Sequence, residues 1–460
     1  MKVIICGAGG VGTTLAQHLL KEKNDITIID QSEENLREIK EHLDVNTYVG
    51  FGSQPGILDK AGAKNAEMLI AVTQSDEVNM IACEVANSQF NIPLKVARIR
   101  DQHYLDPNYK SLFSKNQISV DLIISPETEV AEAIRRRLIA PGAFEIIPFS
   151  EKKIVLLGIK IENNCIHLIN KQLSKIQENL NDLKMNFLVI FRKEKIIVPN
   201  ENEKIKKGDS VYVIADTNDL HKVMVFFGHK ETKANSVIIV GGGNIGVSLA
   251  KKLEETKFGA NTKLIELNKE RAESISADLS NTLVINGNSL DPEILQEAKI
   301  SETETIISVT NQDEVNILTS LLAKKKGCKR TISLANDTTY RSILEPLGID
   351  DVLSPQAITV SRILSFIRKG NIRQVYSLRE GEGEVIEADA IEASSIVDKK
   401  ISELKLPNGV KIGAVLKNDV EVCMPKPDLK INDGDRVILF SLSKMIKKVE
   451  NLLSVKFRFY

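Results

Sequence analysis

Short apolar runs punctuate the chain. "VIIC" (residues 3–6), "ITIID" (26–30) and "MLIAVT" (68–73) are separated by stretches in which apolar positions return every three or four residues. Such runs between amphipathic segments predict buried parallel strands alternating with helices. The same order comes back as "SVIIV" (236–240), "KLIEL" (263–267) and "TIISVT" (305–310). A Ser-Pro pair follows each set, Ser125-Pro126 and Ser354-Pro355, with serine at the cap and proline in the first turn of one more helix. Val130, Ala133, Ile134 and Leu138 share one face of the first of these helices, and Val360, Ile363, Leu364 and Ile367 one face of the second. "APG" (140–142) and Gly370 end them. The pattern then shifts to a period of two in "KIKKGDSVYVIA" (204–215) and "KINDGDRVILFS" (430–441), where Gly-Asp makes a turn and a strand follows.

Individual phrases recur too. "TQSDEVNM" (73–80) returns as "TNQDEVNI" (310–317), and "GAGGVG" (7–12) as "GGGNIG" (241–246). Each motif reappears about 230 positions later and in the same order, so the chain of 460 residues is a tandem duplication. The predicted fold class is α/β: two doubly wound parallel-sheet Rossmann domains, each followed by a small α+β domain. The expected boundaries are 1–123 for the first Rossmann domain, 124–143 for a crossover and dimerisation helix, and 144–228 for the first small domain. A polar linker at 229–235 leads to the second Rossmann domain at 236–353, a second crossover helix at 354–373 and a second small domain at 374–460.

Gly7, Gly9 and Gly12 follow a strand and precede a helix. The first permits the tight turn, the second lets a pyrophosphate approach the backbone, and the third lets helix pack on strand. Free amides at the helix start favour the anion. Asp30 ends the second strand, where a carboxylate binds ribose hydroxyls and repels a 2′-phosphate. Gly241, Gly243, Gly246 and Glu266 repeat the arrangement. Thr73 and Thr310 are expected to end the fourth strand of each sheet, at the crevice, with Asp76 and Asn79 or Asp313 and Asn316 in the first turn of the next helix. Those acids and amides read equally well as a capped helix start. Gly50 to Gly52, matched by Gly287, are expected near the base or ribose.

Charge changes the picture little. The formal net charge is −1, and the basic runs are local, which argues against a nucleic-acid binder. No apolar run reaches the length of a membrane span, and the N-terminus runs straight into the glycine motif. The five cysteines, Cys6, Cys83, Cys165, Cys328 and Cys423, show no metal spacing and read as reduced thiols. Of the six histidines none recurs in the other copy, so no acid/base residue stands out for the rival reading, an NAD-dependent oxidoreductase with tandem Rossmann domains.

"GAGGVG…ID…GFGS…AVTQSDEVN…ARIR" and its repeat resemble the RCK (KTN) nucleotide-binding domains that regulate potassium channels and transporters. The small segments resemble the C-terminal ligand-binding domain of the same family. The resemblance spans essentially the whole chain and rests on the order of four domains. It implies RCK N-terminal and RCK C-terminal folds, NAD(H) and also ATP or ADP as ligands, and a regulatory rather than catalytic role. It further implies a homo-oligomer of four chains, a ring on the cytoplasmic face of the inner membrane beneath a TrkH-type integral membrane potassium-translocating subunit. The two apolar helices after the Ser-Pro pairs would then pack on a neighbouring Rossmann domain instead of covering their own sheet.

Carried over by position, Gly7, Gly9, Gly10, Val11, Gly12 and Asp30 form the dinucleotide loop and ribose acid. Gly50, Phe51, Thr73 and Arg98 or Arg100 lie near base and phosphates. Gly241, Gly243, Asn244, Ile245, Gly246, Glu266 and Thr310 repeat these roles. Both arginines of "ARIR" are missing from the matching "TISLAN" (331–336). Arginine is the natural partner of a polyphosphate, so the first copy is the better candidate for ATP.

Overall fold

The computed structural model describes residues 1–453 except 114–116, 181–182, 194, 230–233, 257–259, 337–343, 345–346, 368–370 and 393. Most of the expected linker and the helix-ending Gly370 lie outside the described residues.

The first apolar runs are strands as expected. β1 (Lys2–Cys6), α1 (Gly10–Lys21), β2 (Asp25–Asp30), α2 (Glu33–His42), β3 (Asn46–Val49) and α3 (Pro55–Lys60) are followed by β4 (Met68–Ala71), α4 (Asp76–Ser88), β5 (Leu94–Arg98), β6 (Leu122–Ile124) and α5 (Pro126–Ile139). The sheet is wholly parallel in the order β3-β2-β1-β4-β5-β6. Its order reverses between β1 and β4, and that switch point opens a crevice at the carboxyl ends of the strands. Both faces are covered. Val3 and Ile5 enter a core with Leu15, Leu19 and Ile28, while Ile4 and Cys6 enter the opposite one with Leu58, Leu69 and Ala82. Burial on both faces explains why the strands read as continuous apolar runs.

A first small sheet follows: β7 (Ala143–Phe149), β8 (Ile154–Lys160), α6 (Leu173–Glu178), β9 (Met185–Arg192), β10 (Lys195–Ile197), β11 (Ser210–Asp216) and α7 (Leu220–Phe226). It is antiparallel, ordered β10-β9-β11-β8-β7. The second copy repeats the parallel sheet with β12 (Ser236–Val240), α8 (Asn244–Glu255), β13 (Asn261–Glu266), α9 (Lys269–Asp278), β14 (Leu283–Asn286), α10 (Pro292–Glu297), β15 (Thr305–Ser308), α11 (Asp313–Lys325), β16 (Arg330–Leu334), β17 (Asp351–Leu353) and α12 (Pro355–Ile367). Its order is β14-β13-β12-β15-β16-β17. The last sheet, β18 (Ile372–Leu378), β19 (Gly383–Asp389), β20 (Val410–Lys417), β21 (Glu421–Cys423) and β22 (Arg436–Leu442), is antiparallel and is followed by α13 (Ile446–Leu453).

The chain divides into two compact units, residues 1–130 with 354–367, and residues 131–353 with 368–453 and the remaining C-terminal residues. The apolar face of α12 therefore does not cover the sheet that precedes it. Val360, Ile363, Leu364 and Ile367 are buried in the first copy's core with Val3, Ile5 and Leu15. Arg362 at the helix surface pairs with Glu129 at 3.4 Å. From Ala131 onward α5 belongs to the other unit, where Arg330 of β16 donates to the Arg137 and Ala143 carbonyls at 2.8 and 3.1 Å while pairing with Asp351. Within that unit the two small sheets share a core: Phe149, Leu188, Phe191 and Ile214 pack with Leu378, Val385, Ile438 and Phe440. Asn186 crosses between them, donating to the Ile412 and Gly413 carbonyls.

Candidate functional site

The glycines of each motif divide by what holds them. Gly7 and Gly241 have φ of 115° and 105°, which only glycine adopts without strain. A Cβ on Gly12 would lie 1.9 Å from the Gly7 carbonyl oxygen, and one on Gly246 2.0 Å from that of Gly241, so packing demands both. Gly9 and Gly243 differ. Their φ values are −73° and −69°, and a Cβ on either would meet nothing within 4 Å. Neither packing nor backbone angle gives a reason for glycine there. Both stand at the N-cap of a helix, α1 or α8, where amides lie unpaired by the helix. Space without protein atoms beside free donors suits an approaching phosphate.

Asp30 accepts from the amides of Ala8 at 2.6 Å and Ser32 at 2.8 Å. Glu266 does the same for Gly242 at 2.6 Å and Asn268 at 2.8 Å. Each acid ties the glycine turn to the end of the second strand, and each oxygen keeps a further lone pair for a ligand hydroxyl. Gly50 follows β3 with φ 151° and donates to the Asp30 carbonyl at 2.8 Å. Phe51 beside it is 42% exposed. Beneath, Cys6 is fully buried, and burial with the nearby Asp30 pushes its thiol up to about 12, so it is an inert thiol.

The repeated Thr-to-Asn phrase has a structural answer. Thr73 and Thr310 lie two residues beyond their strands, not at the ends as expected, because β4 and β15 stop at Ala71 and Ser308. The Thr73 amide and hydroxyl both donate to Asn79 Oδ1, at 2.9 and 2.7 Å. Asn79 Nδ2 donates to the carbonyls of Thr73 and Arg98. Thr310 and Asn316 repeat this at 2.8 and 2.7 Å, with Asn316 donating to Thr310 and Leu334. Asn79 and Asn316 are wholly buried. One side chain thus fixes the exits of two neighbouring strands. Asp76 adds a third anchor, accepting from the amides of Arg100 and Asp101 at 2.9 and 2.8 Å.

At those exits the copies diverge. Arg98 and Arg100 of the first copy are replaced by Leu334 and Asn336. Arg100 Nε donates to Glu127 at 3.0 Å. Glu127 is buried, and its second oxygen, Asp76 Oδ1 and Arg98 Nε have no hydrogen-bond partner among the described residues. Burial, and then the charge of Arg100, lower the Arg98 pKa. The two guanidinium groups lie close enough for each to feel the other's charge, at and just beyond the carboxyl end of β5.

Gln356 was not expected here. It lies in the first turn of α12 and donates to the Gly10 carbonyl at 2.7 Å and Thr14 Oγ1 at 2.5 Å. With Ala8, Gly9, Thr13, Asn35 and His42 it lines a cavity of about 430 Å³. Only its place directly after Ser354-Pro355 marked it in sequence. Glu127 holds the matching place after Ser125-Pro126.

The TrkA-N domain model matches residues 3–126 and 237–355, and the TrkA-C domain model matches 156–228 and 385–454. The Trk system potassium uptake protein TrkA of Azorhizobium caulinodans is 42% identical over 460 residues, covering all of both chains. Proteins of the same name from Halomonas elongata and Vibrio alginolyticus are each 39% identical, over 100% and 96% of both chains. Among solved structures, the GsuK RCK domain superposes with a TM-score of 0.59 at 16% identity, covering 98% of this chain and 94% of that one. The GsuK channel bound to NAD superposes with a TM-score of 0.61 at 17% identity, covering 98% of this chain and 78% of that one. At that identity the likeness is one of fold.

Proposed function

The chain belongs to the TrkA family, with its tandem TrkA-N and TrkA-C domains, and from that membership we propose that it is a nucleotide-sensing regulatory subunit of potassium uptake. The observation that carries the nucleotide part is the open space at Gly9 and Gly243, where glycine serves no packing need. In this reading the first site comprises Gly7, Gly9, Gly10, Val11 and Gly12, with Asp30 on the ribose and Gly50, Phe51 and Thr73 along the crevice. Arg98 and Arg100 take the phosphates. The second site comprises Gly241, Gly243, Asn244, Ile245, Gly246, Glu266 and Thr310. NAD(H) is the ligand common to both, and the arginines make the first the one for ATP or ADP. A ligand regulates only by favouring one conformation over another.

The partner is a TrkH-type integral membrane subunit, with this chain peripheral on the cytoplasmic face of the inner membrane. No helix among the described residues is long and apolar enough to cross a membrane. The chain assembles with copies of itself, four in number as the family resemblance implies, and the equivalent positions Ile81 on α4 and Leu318 on α11, 48% and 50% exposed, are candidate contacts. The role is regulatory and not catalytic; family membership does not favour the oxidoreductase reading. Calorimetry tests the sites: NADH binds at micromolar concentration and NADPH more weakly, because Asp30 and Glu266 face the 2′-phosphate. Equal affinities overturn the assignment of the two acids, and no binding of NADH or ATP at millimolar concentration overturns the sites. Co-purification from membranes with a TrkH-type subunit, or its failure, decides the partner.

A further inference from the structure

Gly10 has no backbone reason to be glycine. It lies in α1 and is not among the residues of positive φ. The three atoms nearest to a Cβ there all belong to Gln356, the closest being Oε1 at 2.6 Å. Glycine at position 10 therefore admits one side chain, and that side chain is carried by α12. The matching positions are Asn244 and Glu127. Glu127 pairs with Arg100 instead, so the contact has no equal in the residue types of the second copy.

The acceptor of Gln356 matters. Its Nε2 donates to the carbonyl of the Gly10–Val11 peptide, and the N–H of that same peptide belongs to Val11, one of the free donors at the start of α1. A hydrogen bond to the oxygen of a peptide polarises it and strengthens the donor on its nitrogen. It also fixes the peptide plane, and so the direction in which the N–H points. The second Gln356 bond, to Thr14 Oγ1, holds the carboxamide in that orientation.

We propose that Gln356 is a positioning residue for the phosphates of a nucleotide on the first glycine motif, and that Gly10 is glycine in order to admit it. The proposal rests on the nucleotide reading above. By linkage, a phosphate on the Val11 amide tightens the Gln356 contact as much as that contact tightens the phosphate. The first turn of α12, which the chain enters directly from β17, is thereby made sensitive to what occupies the first site.

The test uses the full-length chain with Gly243→Trp, which fills the open space of the second motif so that calorimetry reads the first. Gln356→Ala weakens NADH and ATP about three- to tenfold, the effect of one lost hydrogen bond. Gly10→Ala, which displaces Gln356, weakens both by a similar factor, and in the Gln356→Ala background it adds nothing. Amide exchange of residues 356–360 slows on nucleotide addition in the parent and not in Gln356→Ala, a response that a contact serving only the fold would not give. Unchanged affinity in Gln356→Ala, or an equal loss from Gly10→Ala in both backgrounds, overturns the proposal. A parent that binds neither nucleotide overturns the first-site reading itself, and this inference with it.

Discussion

Replacing Gly9 with alanine separates ligand binding from folding. The added Cβ meets no protein atom within 4 Å, and φ at this position is −73°, within the range of any residue. Alanine also restricts the unfolded chain more than glycine, which stabilises by about 0.4–1 kcal/mol where the native conformation is compatible. At the N-cap alanine serves less well than glycine by a similar amount, so unliganded Gly9→Ala stays within about 1 kcal/mol of the wild type. A phosphate pushed off one amide forfeits a charge-assisted hydrogen bond of about 1.5–3 kcal/mol, and the affinity for NADH at the first site falls about 10- to 150-fold. Gly243→Ala does the same at the second site. Gly12→Ala is the contrasting case: its Cβ would sit 1.9 Å from the Gly7 carbonyl oxygen, so it destabilises the first unit before any ligand is added. Thermal unfolding without ligand and calorimetric titration with NADH provide the two readings. A Gly9→Ala protein destabilised by clearly more than a poorer cap costs, about 1 kcal/mol, or one that binds NADH as the wild type does, refutes the argument that this glycine is kept for a phosphate.

Asn79→Ala leaves the half-buried Thr73 amide and Arg98 carbonyl without their partner, at up to about 1–3 kcal/mol each, so differential scanning calorimetry finds the first unit melting earlier while Asn316→Ala acts on the second. Ile81→Glu with Leu318→Glu lowers the mass seen by light scattering and leaves the melting temperature nearly unchanged, whereas Ile363→Glu unfolds the first unit because that residue is wholly buried within the chain's own core. Lys411 is held down to about 8 by burial, with Glu201 opposing, against an ordinary value of 10.5. Between those values the unfolded chain binds the extra proton, so stability rises across this alkaline window, by up to about 3 kcal/mol, and Lys411→Met removes the rise in a series of denaturant titrations.

Much of this architecture is legible in the residues alone. Strands buried on both faces leave continuous apolar runs, and tight turns leave glycines, so the sheets, the duplication and both glycine motifs could be read directly. The face of α12 was also legible, as Val360, Ile363, Leu364 and Ile367, but not what it covers. An apolar stripe states that burial is needed and does not name the surface that supplies it. The Thr73–Asn79 phrase reads in sequence either as crevice residues or as a capped helix start, and not as a brace between two strands, because short polar side chains near an N-terminus suit several roles. Apart from its place after Ser354-Pro355, Gln356 left no readable signal: its contact joins residues 346 apart in the chain and depends on the absence of a side chain at Gly10.

The cover that α12 lends to the first sheet has a consequence for ancestry. A single repeat, ending in its own Ser-Pro helix, would carry a lid fitted to another molecule's sheet and lack one for its own. Such a protein could bury its core only by trading helices with a twin, which makes the ancestor an obligate homodimer. Joining two such repeats in one chain would make that trade intramolecular and fix the stoichiometry, so pairing would no longer depend on concentration. In a fused chain the two repeats need not stay alike, and here the first carries Arg98 and Gly10 where the second has Leu334 and Asn244. Cutting the chain near residue 232 would undo the fusion: the amino-terminal piece would lose the helix that closes its core, and the two pieces would regain the fold only when synthesised in the same cell.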